Sequence, residues 1–290
     1  MTAAADRFRI ALVQLRSGRE VKPNLDAAEA LIRQAAAGGA KLVLTPENTA
    51  LMELDRKRIL QNTQAEDGNP AIARLAALAA ELELWLHVGS TGIKLSEKKV
   101  ANRSFLIDPE GAVVARYDKI HMFDVDLPGG ESYRESAHIE PGGEAVLADL
   151  PWGRLGFTIC YDLRFPALYR ALAQAGADFI AVPAAFTKQT GEAHWRVLLR
   201  ARAIETGCFI FAAAQGGMHE AGRETHGHSM VVSPWGEVIA EAGVDPGVIF
   251  ADVEPAQIAA ARSRIPSLEH GRAFDVAAEA AAKPNMKVAS

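Results

Sequence analysis

Two cysteines, Cys160 and Cys208, are all that 290 residues contain. That scarcity excludes a disulfide framework and a thiolate zinc set. Basic charge is in deficit as well: 31 Lys and Arg stand against 36 Asp and Glu, a formal net charge of −5. No positive field exists to hold nucleic acid or an anionic lipid surface. No apolar run approaches the roughly 20 residues that span a bilayer. Met1 to Asp6 carry no basic segment followed by an apolar core, so no signal peptide is expected and the expected location is the cytoplasm. Aromatics are sparse at 7%, yet hydrophobic residues reach 49% and charged residues 23%. That is an ordinary globular composition, in a chain long enough to bury most of its apolar surface without cross-links.

What the chain does have is alternation. Strand-like segments fall at 8–15, 41–44, 85–89, 179–183 and 209–214, and helix-like spacing at 23–37, 71–84, 167–175 and 192–206. The helix at 23–37 ends at Gly38-Gly39, a stop signal. Asp108-Pro109-Glu110-Gly111 and Ser233-Pro234-Trp235-Gly236 read as hairpin turns. Strands outnumber the helices that could cover one sheet, and some are hairpin-linked. An α/β fold follows, with two mixed sheets and helices outside them. With no internal repeat and no dividing linker, one domain over residues 1–290 is expected, its core at about 8–272 and its tail at 277–290. The aperiodic segment 124–144, with Pro128-Gly129-Gly130 and Pro141-Gly142-Gly143, is long for a loop in a compact domain, and such loops are usually functional.

Three polar residues sit where strands end. Glu47 follows Leu42-Val43-Leu44-Thr45-Pro46, Lys119 follows a strand over 113–117, and Cys160 closes Gly156-Phe157-Thr158-Ile159 ahead of a helix. If these strands share one end of the fold, a carboxylate, an ammonium and a thiol converge. Taken singly, Glu47 reads as a solvated loop charge and Lys119 as a solvated hairpin end, since both types mostly face water. At a strand-to-helix turn the thiol would be exposed, near backbone N–H groups that favour thiolate.

On Leu44-Thr45-Pro46-Glu47, Tyr117-Asp118-Lys119-Ile120-His121 and Gly156 to Pro166 around the cysteine, the sequence resembles the carbon–nitrogen hydrolase (nitrilase) superfamily from about residue 9 to 272. The resemblance implies an α-β-β-α sandwich, a Glu47–Lys119–Cys160 triad with Glu135 as a second carboxylate in the pocket, and dimers or larger homo-oligomers. Within the superfamily, Phe123 to Gly129, Thr190 to Trp195 and Gly227 to Val232 are most similar to the branch of deaminated glutathione amidases and ω-amidases. Residues 198–206 and Ala212-Ala213-Ala214-Gln215 favour the former. Gly191-Glu192 and Ser233 depart mildly from that branch, without touching the triad. The implied activity is hydrolysis of a small linear 2-oxo-acid amide, through a thioester, by water alone and with no cofactor or metal.

Phe123, Tyr161, Phe186, Thr187 and His194 complete the candidates as substrate contacts. Cys208, in Cys208-Phe209-Ile210-Phe211, reads as core packing. His219, His226 and His228 lack the companions of a zinc site. Arg164 and Arg202 read as structural ion pairs, either able to meet a substrate carboxylate. A Cys–His hydrolase using His121 or His194 would need that ring within hydrogen-bond reach of Cys160.

Overall fold

The computed structural model describes residues 7–127 and 130–276. Pro128, Gly129 and the expected tail 277–290 lie outside the described residues. The strands are β1 Phe8–Gln14, β2 Leu42–Leu44, β3 Trp85–Lys94, β4 Val100–Ile107, β5 Val113–Asp118, β6 Asp124–Asp126, β7 Ser132–Arg134, β8 Leu147–Leu150, β9 Gly153–Phe157, β10 Phe179–Ala181, β11 Phe209–Ala212, β12 Gly216–Met218, β13 Glu224–His226, β14 Met230–Val232, β15 Val238–Glu241 and β16 Gly247–Val253. The helices are α1 Val21–Ala37, α2 Arg56–Asn62, α3 Pro70–Glu81, α4 Pro166–Gln174, α5 Lys188–Thr206 and α6 Ala256–Arg264.

Two six-stranded mixed sheets form, in the orders β16-β1-β2-β3-β4-β5 and β15-β14-β11-β10-β9-β8. Their inner strands are buried on both faces, which is why they read as unbroken apolar runs rather than alternating ones. Along β1, Ile10 and Leu12 join a core that includes Phe157 and Phe179 of the second sheet. Ala11 and Val13 point the other way, into a core with Leu25 and Ile32 of α1 and Leu75 of α3. Trp195 and Leu199 of α5 and Leu172 of α4 cover the second sheet. The layers therefore run helix, sheet, sheet, helix, as expected for the nitrilase-like sandwich.

Both expected hairpins form: β4 pairs antiparallel with β5 and β14 with β15. Other boundaries differ, each for a local reason. β3 continues five residues past Gly89, because β4 offers a partner as far as Lys94. α5 begins at Lys188, a turn before Glu192. Gly191 thus lies inside the helix, where a Cβ would come within 2.2 Å of His226 Cβ. Segment 124–144 contains the small β6–β7 hairpin and a 3-10 turn at Glu135–Ala137. Helix α2, too short and polar to show periodicity, is set by Asp55, whose carboxylate accepts from Arg58 N.

Gly89 couples this scaffold to its functional end. A Cβ there would lie 2.0 Å from Thr45 O and 2.6 Å from Pro46 C, so β3 and the segment before Glu47 can approach only because the side chain is absent. Gly89→Ala is expected to cost about 1–3 kcal/mol, as overpacking does, and to lower turnover by displacing Glu47. Gly143→Ala, where a Cβ meets nothing within 4 Å, should do neither. Urea midpoints and initial rates read both effects, and equal midpoints for the two variants would remove the coupling.

Candidate active site

Each sheet contributes part of one cluster. After β2, Thr45 N donates to His87 O at 3.0 Å and Ser90 N to Pro46 O at 3.2 Å, while Asn48 N donates to Ser90 Oγ at 3.0 Å. Glu47 is thereby fixed between two anchored neighbours, and Asn48 adopts a left-handed φ of 59°. Lys119 is the first residue beyond β5, and its N–H donates to Asn102 O on β4 at 3.0 Å. From the other sheet, Cys160 opens a 3-10 turn, Cys160–Arg164, with φ +50° and its N–H on Pro183 O at 2.9 Å. A non-glycine residue in that region stores strain that the surroundings must hold.

Buried Asp162 ties the two sheets together at this point. Its carboxylate accepts from Ile159 N at 2.8 Å and from Tyr117 Oη at 2.6 Å, and from His121 N at 3.1 Å. The cysteine turn and the lysine strand are thus held by one side chain.

Lys119 Nζ lies 3.0 Å from Glu47 Oε1 and 2.9 Å from each oxygen of Glu135. Asn102 Nδ2 donates to Glu47 Oε1 at 3.0 Å, Ala185 N to Glu47 Oε2 at 2.9 Å, and Phe123 N to Glu135 Oε2 at 2.7 Å. Gln215 Nε2 holds the Glu47 carbonyl at 2.9 Å. Burial opposes the charge on Lys119, but Glu135 and Glu47 hold its pKa above the ordinary value. Burial alone would raise Glu47, yet the charges of Lys119 and Arg223 and a hydrogen bond from the Cys160 thiol hold it below the usual carboxylate range. For Cys160, burial and then the neighbouring Glu47 charge push the thiol well up, outweighing Lys119 and Arg223.

That last shift corrects the expectation of an exposed, thiolate-favouring cysteine. Cys160 is only 6% exposed, because the turn that carries it packs into the core between the sheets. The resting sulfur is a thiol beside a carboxylate, and such a pair can exchange a proton when an electrophile arrives.

A cleft of about 380 Å³ opens over the cluster, lined by Glu47, Lys119, Glu135 and Cys160. Phe123, Tyr161, Phe186 and Thr187 line it as expected. His194 does not: it lies exposed on α5, beside Arg164 at 3.3 Å. The helix starts earlier than its sequence suggested, and His194 falls on its solvent face. Nor does His121 serve Cys160, since its Nδ1 sits 2.7 Å from Asp162 Oδ1. Arg164 forms no ion pair among the described residues; its guanidinium lies over the Tyr161 and Phe186 rings, 5.9 and 5.4 Å from their centroids. Arg202 does pair, with Glu205 at 2.8 Å. His219 is hydrogen-bonded at both ring nitrogens, to Ser17 O and Thr225 Oγ1, while His226 and His228 stack with centroids 4.5 Å apart. Cys208 packs with Sγ 3.2 Å from Ala177 O.

Sequence reasoning missed Asn102, Tyr133 and Arg223, all in the cleft lining. The polar run Asn102-Arg103-Ser104 interrupting the apolar residues of β4 was the available signal for the first. Arg223, in the turn between β12 and β13, offers no pattern at all.

The carbon-nitrogen hydrolase family model matches residues 9–263. The chain is 43% identical to the deaminated glutathione amidase of Yersinia enterocolitica over 266 residues, 91% of this chain and 92% of that protein. It is 38% identical to that of Homo sapiens over 268 residues, 91% of this chain and 82% of the human one. Among solved structures, the C. elegans NitFhit protein superposes with a TM-score of 0.87 at 35% identity, over 93% of this chain and 66% of that one. An amidase mutant from Nesterenkonia sp. AN1, solved with the acetamide moiety of fluoroacetamide covalently added at its active-site cysteine, gives a TM-score of 0.78 at 28% identity, over 94% and 96% of the two chains. With a fold and a motif set that agree with these matches, the chain belongs to the carbon–nitrogen hydrolase (nitrilase) superfamily, in its deaminated glutathione amidase branch, and is a hydrolase of amide carbon–nitrogen bonds.

Proposed function

We propose that this protein hydrolyses deaminated glutathione to 2-oxoglutarate and cysteinylglycine, with Cys160 as nucleophile, Glu47 as general base and acid, and Lys119 as oxyanion partner. The observation that carries the catalytic reading is the buried contact of Lys119 with Glu47 and Glu135 beside the Cys160 thiol. The name shared by relatives from bacteria and mammals supports the substrate. A single-domain, cytoplasmic homo-oligomer is part of the same reading.

The steps follow from the protonation states. Cys160 Sγ attacks the amide carbon while its proton passes to Glu47, so the negative charge of the Glu47 carboxylate is relayed through sulfur to the carbonyl oxygen. Lys119 and the Tyr161 N–H, in the first turn where N–H groups lack helical partners, receive that charge. The carbon–nitrogen bond breaks as Glu47 returns the proton to the leaving nitrogen, freeing cysteinylglycine. Water then attacks the thioester, giving its proton to Glu47. Collapse releases 2-oxoglutarate and the proton goes back to sulfur. Glu135, held by Phe123 N–H, keeps Lys119 charged and in place.

Cys160→Ala should abolish turnover, whereas Cys208→Ala should keep it nearly intact. Acid quench and intact mass should show the acyl adduct on wild type and on Cys208→Ala, and none on Cys160→Ala. Kinetics on deaminated glutathione and 2-oxoglutaramate rank the two acyl-sharing substrates, and a higher kcat/KM on the second would make the protein an ω-amidase. A folded wild type inert on both would overturn the substrate assignment.

Alkylation of the free enzyme by iodoacetamide reads the electrostatics directly. The Glu47 charge raises the Cys160 pKa and the Lys119 charge lowers it. Glu47→Gln should therefore move the alkylation profile to lower pH, and Lys119→Met to higher pH. Shifts of the same sign in both variants would break the assigned arrangement.

A further inference from the structure

The cleft contains a cation to which the proposed mechanism gives no step of its own. Lys119 is neutralised by two carboxylates, Arg134 is paired with Asp126 at 2.8 Å, and Arg56 is exposed at the start of α2. Arg223 has no acidic partner among the described residues, although it lines the same cleft. Its guanidinium is nonetheless held in place. One terminal nitrogen donates to Ala185 O, and the guanidinium carbon lies 5.1 Å from the Tyr133 ring centroid. The loop carrying it is closed by His219 N donating to Arg223 O at 2.9 Å. Ala185 is also the residue whose N–H fixes Glu47 Oε2 at 2.9 Å, so the guanidinium and the proposed base share one support.

The remaining donors have chemistry to spare. Arg223 Nε is buried without an acceptor among the described residues, and leaving such a donor unmet is costly. An arginine fork presents parallel N–H groups that fit a carboxylate bidentately. Its charge also reaches the centre, since it lowers the pKa of both Glu47 and Cys160.

We infer that Arg223 is a specificity-determining residue that receives a carboxylate of the amide substrate and thereby selects anionic over neutral amides. This rests on the amidase reading above, in which the substrate carries one carboxylate on its acyl half and another on its leaving half.

Two matched pairs of amides test it. Succinamate and butanamide differ in a carboxylate on the acyl half. Butyryl-cysteinylglycine and its C-terminal amide differ in one on the leaving half. Wild type should favour the charged member of at least one pair. Arg223→Met should lower kcat/KM for that member by about 10–100-fold more than for its neutral partner, the scale of a charged hydrogen bond, mostly through KM. A loss common to both members reads the charge that Arg223 places on Glu47 and Cys160. Arg223→Lys, which keeps the charge but not the fork, should recover part of the preference. Selective loss in the first pair assigns Arg223 to the acyl carboxylate, and in the second pair to the leaving-group carboxylate. Equal losses within both pairs, or no loss in either, overturn the proposal and leave Arg223 a support for Ala185, with the amidase reading intact. A wild type that hydrolyses none of the four overturns the proposal, and its rate on deaminated glutathione decides the amidase reading separately.

Discussion

A buried ammonium constrains everything around it. Lys119 is 2% exposed, and taking a charge of that size out of water costs several kcal/mol even after relaxation. The cost is met only because Glu47 and Glu135 both lie within 3.0 Å of Nζ, because Ala185 satisfies the one carboxylate oxygen that Lys119 does not, and because Asn102 and Phe123 add donors to Glu47 Oε1 and Glu135 Oε2. Removal of any one charge strands the others, a loss on the order of 3–5 kcal/mol for a buried pair. Two carboxylates against one ammonium leave an excess negative charge, and the Arg223 guanidinium is the further cation that acts on Glu47. Parts of the chain 72 and 16 residues from Lys119 are therefore bound to its position.

The sandwich makes this meeting possible. Glu47 and Lys119 leave the ends of strands in one sheet, Cys160 and Ala185 those of strands in the other. The sheets are held face to face by apolar residues, which fix their spacing but have little say in lateral register. Asp162 supplies the register at the functional end, since Tyr117 and His121 from one sheet and Ile159 from the other all donate to it. Gln215 does the same on the far side of Glu47, donating to Ser17 Oγ and to the Glu47 carbonyl, both at 2.9 Å.

How much of this was legible in the sequence follows from which forces act locally. Apolar runs are local, so β1, β2, β10 and β11 and the helices α1, α3 and α4 could be read nearly to their ends. The strand-end positions of Glu47, Lys119 and Cys160 followed from them. Residues whose position depends on a distant partner could not be read. β6, β7 and α2 are short and polar and take shape against the cleft. Arg223 is placed by a turn whose support is a carbonyl 38 residues away. His194 was misplaced because the buried stripe of α5 runs through Gly191, Trp195 and Leu199 and leaves it on the solvent side. The state of Cys160 was misjudged for a related reason: the turn looked exposed in isolation, and burial comes from the core between the sheets that it packs into.

Comparison of the two cysteines shows what burial does and does not supply. Both thiols are pushed up by it. Cys208 then meets a carbonyl oxygen, Ala177 O, and the Arg262 guanidinium at 3.1 Å, groups that cannot take its proton. Cys160 meets a carboxylate already held ionised by Lys119, Arg223 and the amide donors of Asn102 and Ala185. Burial without a base gives an inert packing residue. Burial with one gives a sulfur that is quiet at rest and sheds its proton only when charge can move onward to an oxyanion facing Lys119. The left-handed φ of Cys160 fits that role, because the strained turn is what brings a buried thiol to the floor of an open cleft. In the proposed mechanism, nucleophilicity is thus a property of the charge cluster and not of the cysteine, and it arises only where the two sheets bring their strand ends together.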